Sequence, residues 1–291
     1  MVIIKLMGGL GNQMFQYAFG RTLRENGTEI KYDTSYYNHI PDGDTSRTCE
    51  LSHIVSDLPT AGQQDLRKYQ NIVQKVLRII DIYAGTKLSA VRMEENKDFD
   101  ISFMEEKDKY LIGYWQNEDY FKRIREELLK DFAFPVWELN EVNIKLSQEI
   151  SEAENAVAVH VRGGDYFSAN NIKIFGNICT AEYYERAFNY FENRYDNVKF
   201  FLFTNDVKWV NRNINIKEHD IEQIDWNNDS AGWIDMYHMS KCKHNIIANS
   251  SYSWWAAWLN RNKDKIVVAP DKWTNNDTFL HIVPEDWVRI K

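Results

Sequence analysis

A chain of 291 residues, 44% hydrophobic and 14% aromatic, carries enough apolar material for one large core or two modest ones. Its 35 Lys and Arg stand against 43 Asp and Glu, and the formal net charge of -8 argues against non-specific binding to nucleic acid or to an anionic membrane, so an anionic ligand would need a local positive site. Cys49, Cys179 and Cys242 lie far apart with no C-x-x-C pair, which suggests neither a disulfide framework nor a cysteine zinc site and fits a reducing, cytosolic setting. No stretch approaches the ~20 apolar residues that a spanning helix requires, so the expectation is a soluble chain without a signal peptide, with loose peripheral attachment to the inner face of the cytoplasmic membrane left open.

In chain order, Val2 to Met7 reads as a buried strand, Asn12 as the cap of a helix over Gln13 to Glu25 that ends at Gly27, and Glu29 to Asp33 as a second strand. The region through Met93 is punctuated by Pro41, Gly43 and Pro59, and a helical pattern follows from Leu66 to Tyr83. Phe121, Ile124, Leu128 and Phe132 recur at spacings of three and four among charges, which predicts an amphipathic helix closed by Pro135. After a further helical pattern over Glu141 to Glu152 the chain alternates: strands at Ala156 to Val161, Val198 to Phe203, Asn245 to Ala248 and Ile266 to Ala269, with helices near Ala181 to Asn193 and Trp254 to Asn260. Short continuous apolar strands alternating with helices predict an α/β fold with a mostly parallel sheet covered on both faces, and a domain boundary is placed near residue 150.

Ligands of open parallel sheets bind beyond the carboxyl ends of the strands, and four such ends here are unusually polar. The first, Gly8 to Gln13, fits two positions of the dinucleotide fingerprint with Gly9 and Gly11, but the third glycine position is Met14; Asp33 still imitates a ribose-binding acid. The second, His160-Val161-Arg162-Gly163-Gly164-Asp165-Tyr166, offers a guanidinium fork suited to phosphate, or alternatively an Arg162–Asp165 pair that only holds a turn. In the third, Thr204-Asn205-Asp206, Asp206 either accepts hydrogen bonds from a base or ribose or caps the next helix. The fourth sets Ser250, Ser251 and Ser253 at a helix start, where hydroxyls and amides form an anion site or serve as ordinary caps. Asp98-Phe99-Asp100 imitates an acidic metal motif but has no clear preceding strand, and a solvated linker explains it equally.

Taken together, Gly8 to Ala18, Gly113-Tyr114-Trp115-Gln116, His160 to Tyr166, Phe203 to Asp206, Asn249 to Trp255 and Ala269-Pro270-Asp271-Lys272-Trp273 give the chain a likeness that runs through nearly its whole length. It resembles the bacterial alpha-1,2-fucosyltransferases of glycosyltransferase family 11. The resemblance implies a GT-B-like architecture: two Rossmann-like domains with mostly parallel sheets facing a central cleft, 1–150 mainly on the acceptor side and 151–291 binding GDP-fucose. It also implies an inverting enzyme that needs no metal or other cofactor and moves L-fucose from GDP-beta-L-fucose to the 2-hydroxyl of a terminal galactose in a surface-glycan precursor.

By position, the resemblance assigns the GDP portion of the donor to His160 and Arg162, with Arg162 on the diphosphate, a base or ribose contact to Asp206, and further diphosphate contacts to Ser250, Ser251 and Ser253. Arg162 would stabilise the leaving group and Asp165, the nearest carboxylate, would act as base. Gly9, Gly11 and Asn12 would approach the donor across the cleft. Tyr114, Trp115 and Gln116 are acceptor candidates, the aromatic rings stacking on a sugar face or serving as core. Where the family usually carries a second arginine, this chain has Gly163. Two other readings remain: an NAD(P)-dependent sugar-nucleotide oxidoreductase, favoured by Gly9, Gly11 and Asp33 but lacking the third glycine of the fingerprint, and a non-catalytic carbohydrate-binding protein.

Overall fold

A computed structural model describes residues 1–41, 46–95, 98–163, 172–227, 231–276 and 281–291. The chain divides into two compact units, Met1–Ala133 and Phe134–Lys291. The division falls earlier than the expected boundary near 150, because the helix Glu141–Glu152 packs within the second unit.

Unit 1 contains β1 (Val2–Lys5), α1 (Leu10–Glu25), β2 (Ile30–Asp33), α2 (Gln63–Arg67), α3 (Ile72–Ala84), β3 (Val91–Met93), β4 (Tyr110–Ile112) and α4 (Arg125–Asp131). Its four strands form an all-parallel sheet in the order β2-β1-β4-β3. Helix α1 turns Met14, Phe15, Ala18, Phe19 and Leu23 inward, and each of its large apolar side chains contributes roughly 1.5–3 kcal/mol by burial. Gly20 lets this helix lie close on the sheet, since a Cβ there would stand 2.7 Å from the Ile4 Cδ1. The close helix-strand packing denied at Met14 is thus supplied further along. The predicted 121–132 helix is two short 3-10 turns followed by α4, with Phe121, Ile124, Leu128 and Phe132 all buried as the spacing requires.

Unit 2 contains α5 (Glu141–Glu152), β5 (Asn155–Val161), α6 (Ile172–Phe175), α7 (Ala181–Glu192), β6 (Val198–Thr204), α8 (Val207–Asn213), β7 (Ile221–Ile224), α9 (Gly232–Lys241), β8 (His244–Ile246), α10 (Ser251–Leu259), β9 (Val267–Pro270) and β10 (Val288–Ile290). Six parallel strands run in the order β10-β9-β8-β5-β6-β7. Val157, Val159 and Val161 of β5 pack with Phe200 and Leu202 of β6 against Tyr183, Tyr184, Phe188 and Phe191 of α7. Ala156 and Ala158 point to the opposite face of the sheet and are buried as well. Burial on both faces is why these strands read as continuous apolar runs.

The three cysteines are free thiols. Among the described residues, no helix is long and apolar enough to cross a membrane.

Candidate active site

Topology concentrates the polar strand ends. In unit 2 the chain leaves β5 toward β6 and β7 on one side, then returns to β8, β9 and β10 on the other, so the strand order reverses between β5 and β8. A reversal of this kind opens a crevice at the carboxyl ends of the two strands. Their parallel register, Val159 opposite Ile246, sets the end of β5 and the residues after it (His160 to Gly163) at the same edge of the sheet as the segment after β8 (Asn249 to Ser251). Unit 1 repeats the pattern between β1 and β4, which brings the Gly8–Gln13 turn beside Gly113 to Gln116.

At the β5 end, His160 is buried and its backbone carbonyl accepts a hydrogen bond from the Tyr184 hydroxyl (3.0 Å). Burial, reinforced by the neighbouring Arg162 guanidinium, pushes the imidazole down to about 3, so it is neutral at physiological pH. Its Nδ1 is enclosed with no hydrogen-bond partner among the described residues. The His160 ring lies 5.3 Å from that of Tyr252, and the Tyr252 hydroxyl donates to the Gly232 carbonyl, which ties the end of β5 to the first turn of α10. Arg162 follows, half-buried. Asp165 lies outside the described residues.

Gly163 is a steric requirement. A Cβ at this position would sit 2.3 Å from the Asp206 Cβ and 2.8 Å from its Oδ2, while the Gly163 N–H donates to the Asn205 Oδ1 (3.0 Å). An arginine here and Asp206 in this position are mutually exclusive. Asp206 in turn caps α8, its Oδ1 accepting from the Trp209 N–H at 3.0 Å, as one of the two sequence readings expects.

The serine cluster divides. Ser250 is the residue preceding α10, but its side chain makes no capping bond. The first rung of the helix is Trp254 N–H to Ser250 carbonyl (3.0 Å), which leaves the amides of 251–253 outside the helical ladder. Ser251 is half-buried. Ser253 departs from its expected donor contact: it is fully buried, and its hydroxyl approaches the Ala248 and Ser250 carbonyls at 3.4 and 3.3 Å.

The unit 1 end is built differently. Helix α1 starts at Leu10 with Gly9 as its cap, so Asn12 is not the cap but sits in the first turn, where its Oδ1 accepts from the Gln116 Nε2 (2.8 Å). Gly8 is the glycine that the turn requires, at φ +78; a Cβ there would stand 2.6 Å from the Asn12 Nδ2. Gly9 has room for a side chain, since its nearest such contact is the Arg47 Nε at 3.9 Å. Gly11 is buried inside the helix.

Gln13 Nε2 donates to the carbonyls of Gly8 and Thr48, and its Oε1 accepts from the amides of Glu50 and Leu51. Gln16 bridges the Met7 N–H to the Gly113 carbonyl. Two glutamines therefore lock the turn, the 48–51 segment and the end of β4 together.

Among the acceptor candidates, Gln116 holds Asn12 and Tyr114 is half-buried, its backbone N–H donating to Glu94 (2.7 Å). Trp115 belongs to the core instead of a sugar platform. It is fully buried and stacked on Phe19 at 4.4 Å, because its φ of +48 turns the ring back into the unit. Asp33 is likewise unavailable to a ribose: Tyr110 donates to its Oδ2 at 2.5 Å and the Ser35 N–H to its Oδ1 at 2.9 Å. Asp100 caps a short helical turn and pairs with Arg92 at 2.9 Å, which gives that acid a structural role. The cation beside the glycine turn, Arg47, lies in a stretch with no periodicity to single it out.

Two Rossmann-like parallel-sheet units, the second with an arginine, a neutral buried histidine and a helix N-terminus at the carboxyl ends of adjacent strands, make a GT-B-type architecture. The sequence model of Glycosyl transferase family 11 matches residues 84–291, and the chain belongs to that family. It is 33% identical to an alpha-1,2-colitosyltransferase of Escherichia coli over all of this chain and 99% of that protein. To the O-antigen biosynthesis glycosyltransferase WbnK of Escherichia coli it is 31% identical, over 98% of this chain and 99% of that one. A solved structure of an Arabidopsis thaliana FUT1 mutant in complex with GDP superposes with a TM-score of 0.53 at 10% identity, covering 92% of this chain and 70% of that one. At that identity the likeness speaks to the fold alone. Family membership overturns the oxidoreductase and the non-catalytic readings.

Proposed function

We propose that the chain is an inverting galactoside alpha-1,2-fucosyltransferase that uses GDP-beta-L-fucose and no metal. The 2-hydroxyl oxygen of a terminal galactose forms a bond to the fucose anomeric carbon as that carbon's bond to the diphosphate oxygen breaks on the opposite face. GDP departs with the bonding electron pair, so negative charge grows on the diphosphate. Arg162, the Ser250 and Ser251 hydroxyls and the amides at the start of α10 stabilise it, and preorganised donors of this kind contribute on the order of 3 kcal/mol each. His160 stays neutral and offers Nδ1 to the donor, Asp206 lies at the base or ribose end, and Asp165 takes the acceptor proton. Unit 1 receives the acceptor, with Tyr114 and Gln116 at the end of β4.

The observation that supports this reading is the reversal of strand order at β5 and β8, adjacent strands whose carboxyl ends lead to Arg162 and to the N-terminus of α10 in a family 11 chain. A second reading is favoured by the colitosyltransferase relative: the donor sugar is colitose, which is L-fucose without its 3-hydroxyl. A site that hydrogen-bonds a hydroxyl rejects the analogue lacking it by as much as ~10⁴-fold, so the two donors separate cleanly.

The test offers GDP-fucose and GDP-colitose with several galactose-terminated acceptors, with and without EDTA, and follows GDP release and product linkage. Acceptor-dependent release from GDP-fucose that survives EDTA, with a 1,2-linked product, is expected. Preference for GDP-colitose replaces the donor, loss of turnover in EDTA removes metal independence, and absence of turnover with every acceptor contradicts the reading.

A further inference from the structure

Helix α3 is built inside out. No residue of it is buried, and Ile72, Val76, Ile79 and Tyr83 are exposed at 72%, 49%, 56% and 88%. At 100° per residue these four positions fall within one narrow stripe, with Val73 and Ile80 along its edge. The opposite face carries Gln74 and Asp81, and this polar side meets the protein. Gln74 Oε1 accepts from the Ala90 N–H (2.7 Å), and Asp81 accepts from the Leu88 and Ser89 amides (both 2.8 Å). Asn71 caps the start through the Gln74 N–H, and Gly85 closes the end at φ +63. The helix is therefore fixed at both ends and along its polar face, with its apolar stripe toward solvent. Exposed apolar patches of this kind mark an interface.

The charge around the stripe selects its occupant. Lys75 and Arg78 flank it on one side, Arg67 and Lys68 precede the helix, and Lys87 follows it, whereas the chain as a whole is at -8. The helix's own acid, Asp81, is turned inward onto the 86–89 segment. A basic rim around an apolar helical face is complementary to anionic headgroups above acyl chains, and Tyr83 at the end of the stripe suits the headgroup level. Self-pairing of the same face would set the basic rims of two copies against each other, which is repulsive.

We propose that α3 lies flat on the surface of an anionic phospholipid bilayer and docks the chain there reversibly, its apolar stripe at the acyl boundary and its basic flank on the headgroup phosphates. Thirteen residues span only about 20 Å, so one helix gives salt-sensitive partitioning and not permanent insertion. The proposal is independent of the donor and acceptor assigned above.

Co-sedimentation of the full chain with vesicles of phosphatidylcholine alone, and of phosphatidylcholine mixed equally with phosphatidylglycerol, tests it. Partitioning at least ~10-fold stronger onto the anionic vesicles is expected, since each basic residue near the surface adds about 1 kcal/mol, and it should weaken as salt rises. Both Lys75→Glu with Arg78→Glu and, separately, Val76→Asn with Ile79→Asn should lose most of this binding while keeping GDP affinity and thermal stability. Equal partitioning onto both vesicle types, or retained binding in both variants, overturns the proposal. So does a concentration-dependent dimer in light scattering that Val76→Asn with Ile79→Asn disperses, because it would assign the face to a second copy.

Discussion

The same device, a parallel sheet whose strand order reverses beside its first strand, ends in opposite chemistry in the two units. Around the reversal in unit 1 the amide and carboxylate side chains are paired: Gln13 and Gln16 bridge three segments, Asn12 holds Gln116, and Asp33 holds Tyr110, while the buried Trp115 Nε1 has no partner among the described residues. Around the reversal in unit 2, His160 encloses a ring nitrogen with no partner among the described residues, and Ser250 leaves its helix uncapped by a side chain. An unsatisfied buried polar group costs roughly 1–3 kcal/mol, which a ligand group can recover on binding. The amide side chains at the unit 1 turn are thus tied into fixed contacts, whereas the end of β5 in unit 2 keeps an unpartnered histidine nitrogen.

Substitutions on either side of this contrast should fail differently. The largest effect is expected at Arg162: Arg162→Ala should lower turnover at least ~100-fold in a chain that melts normally. Near-normal turnover would move the charge stabilisation elsewhere. Gln16→Ala strands the Met7 N–H and the Gly113 carbonyl, so stability should fall by about 1–3 kcal/mol in chemical denaturation, with the donor KM unchanged. A raised donor KM without loss of stability would erase the distinction between the units.

Gly163→Ala forces a Cβ against Asp206 and should cost about 1–3 kcal/mol as overpacking. In an Asp206→Gly background, which removes the Asp206 Cβ, the cost should shrink, and a double-mutant cycle that shows no coupling would contradict the contact. A further effect concerns acid. His160 is near 6.5 when unfolded and about 3 when folded, so the unfolded chain binds the extra proton and stability falls as pH drops from about 6.5 toward 3. His160→Gln should lose less stability than wild type over that window in thermal melts; an identical loss would show that the imidazole is not held neutral.

Much of unit 2 was legible in the sequence because its central strands are long and buried on both faces. Val157 to Val161 and Phe200 to Phe203 announce themselves as apolar runs. Strands β3, β4, β7 and β10 did not, since three or four residues such as Val91-Arg92-Met93 or Ile221-Glu222-Gln223-Ile224 carry too little periodicity beside polar neighbours. Local pattern found the glycine turn and singled out Gly9 and Gly11, but not Gly8 as its positive-φ residue, because φ is a property of the folded turn. It offered Trp115 as a sugar platform because a side chain's direction after a positive φ is not written in spacing. Periodicity likewise gave a helix over the α3 region, yet could not tell that Gln74 and Asp81 face the protein.

The contrast between the units is tested most directly by hydrogen exchange of the wild-type chain with and without saturating GDP. Slower exchange is predicted at the amides of 160–163 and 249–253, with no change over 7–16. Protection confined to 7–16, with 160–163 and 249–253 exchanging as in the free chain, would contradict a nucleotide seat at the end of β5 and β8.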